Sequence, residues 1–111
     1  MKRAREKFAD WSKTKDEFFK EFSVTTTFVK YEKSENEIAN PNTAIIHESD
    51  KYMGEVFVWE SGQMEYGLIK KEDPNNYTLW NYIEKIDNEP NYEAILNDYL
   101  SLLCELDDEQ R

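Results

Sequence analysis

The stretch VFVWESGQMEYG, residues 56–67, decides the fold, because it contains two apolar-rich strands joined by a tight turn. Residues 60–62 fit a three-residue hairpin loop, in which a type I turn is followed by a glycine with positive φ. A two-residue loop is the alternative, but it would shift the pairing by one residue and turn Val56 and Val58 outward. The longer loop sorts the polar residues onto one face and opposes Trp59 with Gln63, Val58 with Met64, and Val56 with Tyr66.

In this register the hairpin has two different faces. One face is apolar and is predicted to point into the core, with Val56, Val58, Met64, Tyr66 and Leu68. The other face mixes aromatic rings with carboxylates and carries Glu55, Phe57, Trp59, Gln63, Glu65, Gly67 and Ile69. We expect Gly67 to leave room beside the ring of Phe57 or Trp59. Alternatively, the segment 24–51 folds over this second face, or its rings only fill cross-strand contacts.

Hydrophobic periodicity assigns most of the remaining elements. Residues 3–22 carry an apolar stripe at helical spacing and predict a helix, with Lys15 burying its stem and extending its ammonium past the edge. A turn is predicted at residues 73–76. β-branched and aromatic residues predict strands over residues 24–32, 43–48, 52–60 and 63–71.

Residues 77–86, YTLWNYIEKI, fit either a helix or a strand. The segment is short, rich in aromatic and β-branched residues and bounded by turns, so a strand is favoured, while the helical alternative stays open. Alternation in a strand would place one set of residues on each face: Leu79, Asn81 and Ile83 on one, and Trp80, Tyr82 and Glu84 on the other.

The last strongly periodic segment predicts a helix that is capped by Asn88, has Pro90 in its first turn and ends at about Glu105. We expect the tail, residues 107–111, to fray. The chain, residues 1–111, is therefore predicted to be a single α+β domain. Its antiparallel sheet of about five strands forms a meander, and the N- and C-terminal helices pack on one face of it.

The charge is strongly negative and unevenly placed. The formal net charge is −10; residues 1–22 contribute about +2 and residues 23–111 about −12. Such a charge argues against binding nucleic acid or an anionic membrane and favours a basic protein partner. The alternative interpretation is that the acidity serves solubility alone.

The sequence contains no recognisable catalytic, cofactor or metal motif, so no catalytic, cofactor-binding or metal-ligating residue is predicted. The only histidine, His47, is interpreted as a strand-edge residue, and a Cys-His pair with Cys104 has no local support because this cysteine lies among leucines. With one cysteine, no apolar run of membrane-spanning length and no apolar signal segment, the chain is expected to be cytoplasmic.

The second half resembles small bacterial immunity proteins. The resemblance covers about residues 52–104 and, more loosely, the aromatic first helix. It rests on a Trp-Glu-x-Gly hairpin (59–62), a Trp-x-Tyr-x-Glu strand (80–84), an acidic turn with Asp87 and Glu89, and a leucine-rich last helix. These features are similar to the TriTu-type family, which protects cells against toxins of contact-dependent growth inhibition systems.

The resemblance implies a cytoplasmic, non-enzymatic antitoxin whose partner is similar to a tRNA-cleaving nuclease that works with elongation factor Tu. The carboxylates would pair with Arg and Lys of that toxin, and the rings would be buried as anchors. Alternatives are an acidic protein-binding module or nucleic-acid mimic without a toxin partner, a small enzyme or ligand carrier, and a homodimer. The candidate toxin-binding residues are Glu55, Phe57, Trp59, Glu60, Glu65, Glu84 and Asp87.

Overall fold

A computed structural model describes residues 3–106 and shows an α+β fold built on one sheet of five strands. The helices are α1 (Ala4–Thr14), α2 (Asp16–Glu21), α3 (Tyr92–Ile95) and α4 (Asn97–Leu103), with a short 3₁₀ turn at Glu35–Glu37. The strands are β1 (Thr25–Phe28), β2 (Asn42–Glu48), β3 (Tyr52–Trp59), β4 (Met64–Lys70) and β5 (Asp73–Ile83). Each strand pairs antiparallel with the next, so the predicted meander is confirmed.

The hairpin of β3 and β4 has the predicted register. Val58 opposes Met64, and the amide nitrogen of Trp59 donates to the carbonyl oxygen of Gln63 at 2.9 Å. Gly62 has φ +93°, a backbone conformation that glycine adopts with the least strain. The three-residue loop therefore fixes which side chains of the hairpin point into the core.

The predicted first helix is interrupted at Lys15, where the backbone leaves helical geometry and α2 begins. The fully buried Phe8, Ser12 and Phe19 recur at helical spacing, and Lys15 falls in the same stripe. The ammonium of this lysine pairs with Glu93 at 2.6 Å and lies 4.0 Å from the centre of the Phe18 ring. We attribute the interruption to this lysine, because its charge has to leave the apolar layer.

The C-terminal helix begins later than predicted. Asn91, not Asn88, is the cap: its side-chain oxygen accepts a hydrogen bond from the amide of Ala94 at 3.1 Å, so Pro90 precedes the first turn. The helix is also interrupted at Leu96, which separates α3 from α4. The predicted fraying of residues 107–111 lies outside the described residues.

Two boundaries in the sheet differ from the prediction. β1 ends at Phe28 and not at residue 32. The last backbone hydrogen bond that joins it to β2 is donated just past this end, by the amide of Val29 to the carbonyl of Ala44. The turn predicted at residues 73–76 is wrong, since these residues belong to β5. Ile69 pairs with Tyr77 and Lys70 with Asp73, so residues 74–76 form an irregularity within the strand.

One apolar core fills the space between the sheet and the helices. The sheet contributes the predicted face of β3 and β4, with Val56, Val58, Met64, Tyr66 and Leu68. Phe8 and Phe19 of the first helices and Leu96, Tyr99 and Leu103 of the C-terminal helical segment are buried against it. The helices thus cover one face of the sheet, as their single apolar stripes require.

His47 lies inside this core, and its interpretation as a strand-edge residue is wrong. The residue is 1% exposed, and its Nδ1 lies 2.8 Å from the phenol oxygen of Tyr99. β2 is paired with β1 on one edge and with β3 on the other, so His47 lies on an interior strand. Cys104 is buried as predicted, and burial raises the pKa of its thiol to about 12, which keeps it protonated and unreactive.

Candidate functional site

The face of the sheet that points away from the helices is called the outer face here. None of its side chains belongs to the core cluster, and among the described residues no helix covers it. Phe57 and Trp59 are half-buried in the sheet surface and are not enclosed by a helix. The outer face is formed by Ala44, Ile46 and Glu48 of β2, Met53, Glu55, Phe57 and Trp59 of β3, Glu65, Gly67 and Ile69 of β4, and Tyr77, Trp80 and Tyr82 of β5.

Rings and carboxylates alternate across this face and hold one another in place. Glu65 lies between Phe57 on β3 and Tyr82 on β5, and it accepts a hydrogen bond from the indole nitrogen of Trp80 at 2.8 Å. The rings of Phe57 and Trp59 stack, with centroids 5.7 Å apart and planes inclined by 24°. The carboxylate of Glu65 is therefore oriented before any partner arrives, within a surface of aromatic anchors.

Gly67 opens a groove beside Glu55. A Cβ atom at Gly67 would lie 2.7 Å from Cε1 of Tyr77, so the ring of Tyr77 uses the space that the missing side chain leaves. We expected Gly67 to leave room beside the ring of Phe57 or Trp59, but the nearest side chains are those of Tyr77 and Trp80. The groove holds about 300 Å³ between strands β3, β4 and β5, with apolar walls formed by Ile46, Met53 and Ile69.

Tyr77 is the most exposed aromatic residue of the outer face, and sequence alternation missed it. Counting in twos from Leu79 places Tyr77 on the core face. The register shift opposite Leu68 and Ile69 inserts Thr78 as an extra residue and moves Tyr77 to the other side. Tyr77, Trp80 and Tyr82 are 58%, 50% and 42% exposed, so β5 presents three large rings to solvent.

The structure brings four of the predicted contact residues together on the outer face: Glu55, Phe57, Trp59 and Glu65. Glu84 follows the end of β5 and is exposed, whereas Asp87 lies beside Pro90 and Ala94, near the start of α3.

Glu60 lies in the hairpin loop, where it pairs with two arginines of the N-terminal segment. Its carboxylate binds the guanidinium of Arg3 and accepts a bond from Nε of Arg5 at 2.8 Å. Arg5 also donates to Glu35 at 2.9 Å. The hydrogen bonds from Arg3 and Arg5 hold the pKa of Glu60 below its usual range. Glu60 therefore fastens the hairpin loop to α1.

Ion pairs neutralise several carboxylates near the helices, and on the outer face Glu48 pairs with Lys71 at 2.6 Å. Besides the two arginines, Lys7 of α1 pairs with Glu89 at 3.0 Å. Within residues 3–106, no ion pair joins Glu55 or Glu65 to a basic side chain. Both side chains are partly buried, a setting in which contact with a cation is stronger than in bulk water.

Within the described part of the chain, no group of three or more His, Cys, Asp or Glu residues is arranged to hold a metal ion. None of the helices formed by residues 3–106 has the length and apolar character that crossing a membrane requires. The outer face combines exposed aromatic rings with carboxylates.

Comparison with known proteins agrees with the resemblance found in the second half of the sequence and extends it. The family model described as "Immunity protein TriTu" matches residues 6–102, which is most of the chain. No curated protein and no solved structure matches.

Proposed function

The chain belongs to the TriTu family of immunity proteins, and from this we propose that it is a non-enzymatic inhibitor that neutralises a cognate nuclease toxin by binding it with the outer face. Immunity proteins of this kind bind a cognate toxin. The observation that supports the rest of the proposal is the outer face, where Glu55 and Glu65, which form no ion pair within residues 3–106, share a surface with the rings of Phe57, Trp59 and Trp80.

Charge complementarity supports a nuclease as the partner. A domain that cleaves RNA needs a basic surface to hold the phosphate backbone. The acidic outer face would dock on such a surface, cover the substrate path and compete with RNA for the same cations. Long-range attraction would also accelerate the encounter, so association should slow as salt rises.

The resemblance adds the biological setting of the proposal. The toxin would be a tRNA-cleaving domain of a contact-dependent growth inhibition system, acting in a complex that includes elongation factor Tu. Inhibition would then take place in the cytoplasm of the cell that receives the toxin. Of the predicted contacts, Glu84 is exposed just beyond the end of β5 and would extend the outer face, whereas Asp87 and Glu60 would contact the toxin only at the margin of that face.

A growth test examines the proposal directly. Candidate toxin domains are expressed with and without this chain, and cell growth and tRNA integrity are followed. We expect growth to resume and tRNA to stay intact only with the cognate toxin. If growth is rescued but the tRNA is not protected, the toxin does not act by cleaving tRNA, and only the immunity role is kept. Equal protection against unrelated basic nucleases would indicate a general acidic mimic instead.

A further inference from the structure

We propose that the groove beside Glu55 receives one long cationic side chain, an arginine or a lysine, from the cognate toxin. This inference rests on the proposed function and specifies the chemistry at one point of the same surface. The groove, called the Glu55 groove here, is lined by Ile46, Met53, Glu55, Ile69 and Tyr77, by the backbone of two glycines, and by residues 74–76.

The register of the sheet builds this groove. Glu55 lies between Ile46 of β2 and Gly67 of β4, and Gly67 in turn opposes Trp80 of β5. Gly67 has no side chain, and the ring of Tyr77 takes up the space directly above it; the hollow that remains between these residues lies beside the carboxylate of Glu55. Its volume of about 300 Å³ is at the lower limit for ligand pockets and suits a side chain better than a free cofactor.

The walls of the groove match the two parts of an arginine or lysine side chain. Met53 and Ile69 provide apolar surface for the methylene stem, and Glu55 provides a carboxylate for the charged head. Tyr77 and Trp80 expose their rings nearby, which favours a cation over a neutral group. An anionic or purely apolar side chain would leave the carboxylate without a counter-charge.

Two of the protein's own lysines at this end of the sheet have other partners. Lys71 pairs with Glu48 at 2.6 Å, and Lys51 pairs with Glu105 at 3.1 Å. Glu55 has no such partner within residues 3–106, although it is half-buried. A partly desolvated carboxylate that lacks a cation gains most from an external one.

Binding of the purified cognate toxin domain tests the inference. We expect Glu55→Gln to weaken affinity about tenfold to hundredfold, mainly by faster dissociation, because a desolvated ion pair is lost. Thermal unfolding of the variant should stay close to wild type. The matched control is Glu21→Gln at the end of α2, which makes the same chemical change on the helix side of the sheet and should leave affinity unchanged.

A charge-reversal screen supplies the second measurement. Glu55→Arg should abolish binding, and one single Arg→Glu or Lys→Glu substitution in the toxin should restore it. If wild type binds the toxin and Glu55→Gln binds equally well, the inference is overturned while the proposed function stands. If wild type fails to bind, the proposed function itself fails. If wild type self-associates in sedimentation and Glu55→Gln removes that association, the groove holds a second copy of this chain, which also overturns the inference.

Discussion

The indole nitrogen of Trp80 donates a hydrogen bond to the carboxylate of Glu65, 2.8 Å away on the neighbouring strand. The bond joins an exposed ring to a charge that has no basic partner within residues 3–106. It therefore fixes the direction of the charge without neutralising it, which reduces the entropy lost when a cationic partner binds.

Two variants separate the orientation of this charge from the charge itself. Trp80→Phe keeps the charge but removes the donor, and Glu65→Gln keeps an acceptor oxygen but removes the charge. We expect the first to weaken toxin affinity by about 1 kcal/mol with an unchanged salt dependence. The second should also flatten the dependence of the association rate on ionic strength. Stopped-flow kinetics at several salt concentrations measures both effects, and an identical response of the two variants would contradict this separation.

The stacked pair of Phe57 and Trp59 should act as the apolar anchor of the interface. We expect Phe57→Ala together with Trp59→Ala to weaken toxin binding by about 2–4 kcal/mol, with only a modest loss of thermal stability, because both rings lie outside the core cluster. Calorimetric titration and thermal unfolding measure the two quantities. Phe18→Ala is the control: its ring is also partly buried but packs on the helix side. That variant should lose stability and keep its affinity. If Phe18→Ala instead weakens binding and the Phe57→Ala, Trp59→Ala variant does not, the toxin binds on the helix side.

Gly67 is required by its neighbour Tyr77 and not by its own backbone conformation. Gly67→Ala places a Cβ atom 2.7 Å from Cε1 of Tyr77, so the ring has to move. We expect a loss of about 1–2 kcal/mol in the free energy of unfolding. Tyr77→Ala in the same chain should restore most of that loss, since it removes the clash. Denaturant titration of the two single variants and the double variant gives the coupling energy, and strictly additive effects would show that the two residues do not interact.

Because His47 is buried, we expect the free energy of unfolding to fall as the pH is lowered into the mildly acidic range. Desolvation lowers the pKa of His47 from 6.5 to about 4 in the folded state. Above pH 6.5 the imidazole is neutral in both states, so its contribution is constant. Between pH 6.5 and 4 only the unfolded chain takes up the proton, and the free energy of unfolding should fall by up to about 3 kcal/mol. Below pH 4 both states are protonated and this contribution levels off.

The matched variant for that prediction is His47→Asn, because an asparagine amide can approach the position of Nδ1 near Tyr99. The variant lacks the titrating ring, so its stability should fall less steeply between pH 6.5 and 4. Denaturant unfolding at several pH values gives the difference between the two curves. Parallel curves over this range would show that His47 titrates normally in the folded chain.

The sequence predicted the sheet well, because its hairpin carries local signals. Alternation in β3 and β4 and the glycine at position 62 specify register without reference to the rest of the chain. The same alternation correctly separated Leu79, Asn81 and Ile83 from Trp80 and Tyr82. Except for Tyr77, the outer-face residues of the hairpin and of β5 follow from these two patterns.

The features that the sequence did not predict depend on contacts between distant segments. The extra residue Thr78, which turns Tyr77 outward, appears only where β5 pairs with β4. Lys15 interrupts the first helix where its ammonium meets Glu93, 78 positions further along the chain. Glu60 finds Arg3 and Arg5 only after α1 has packed near the hairpin loop. Local periodicity contains no information on such pairings.

The division of the sheet into two faces separates the positions that hold the fold together from those that face solvent. Residues of the two kinds alternate along the same strands, so adjacent positions are under different packing constraints. Individual cross-strand pairs on the solvent side each contribute only about 0.2–1 kcal/mol. Substitutions there would therefore change the chemical character of that surface while the scaffold beneath it stays the same.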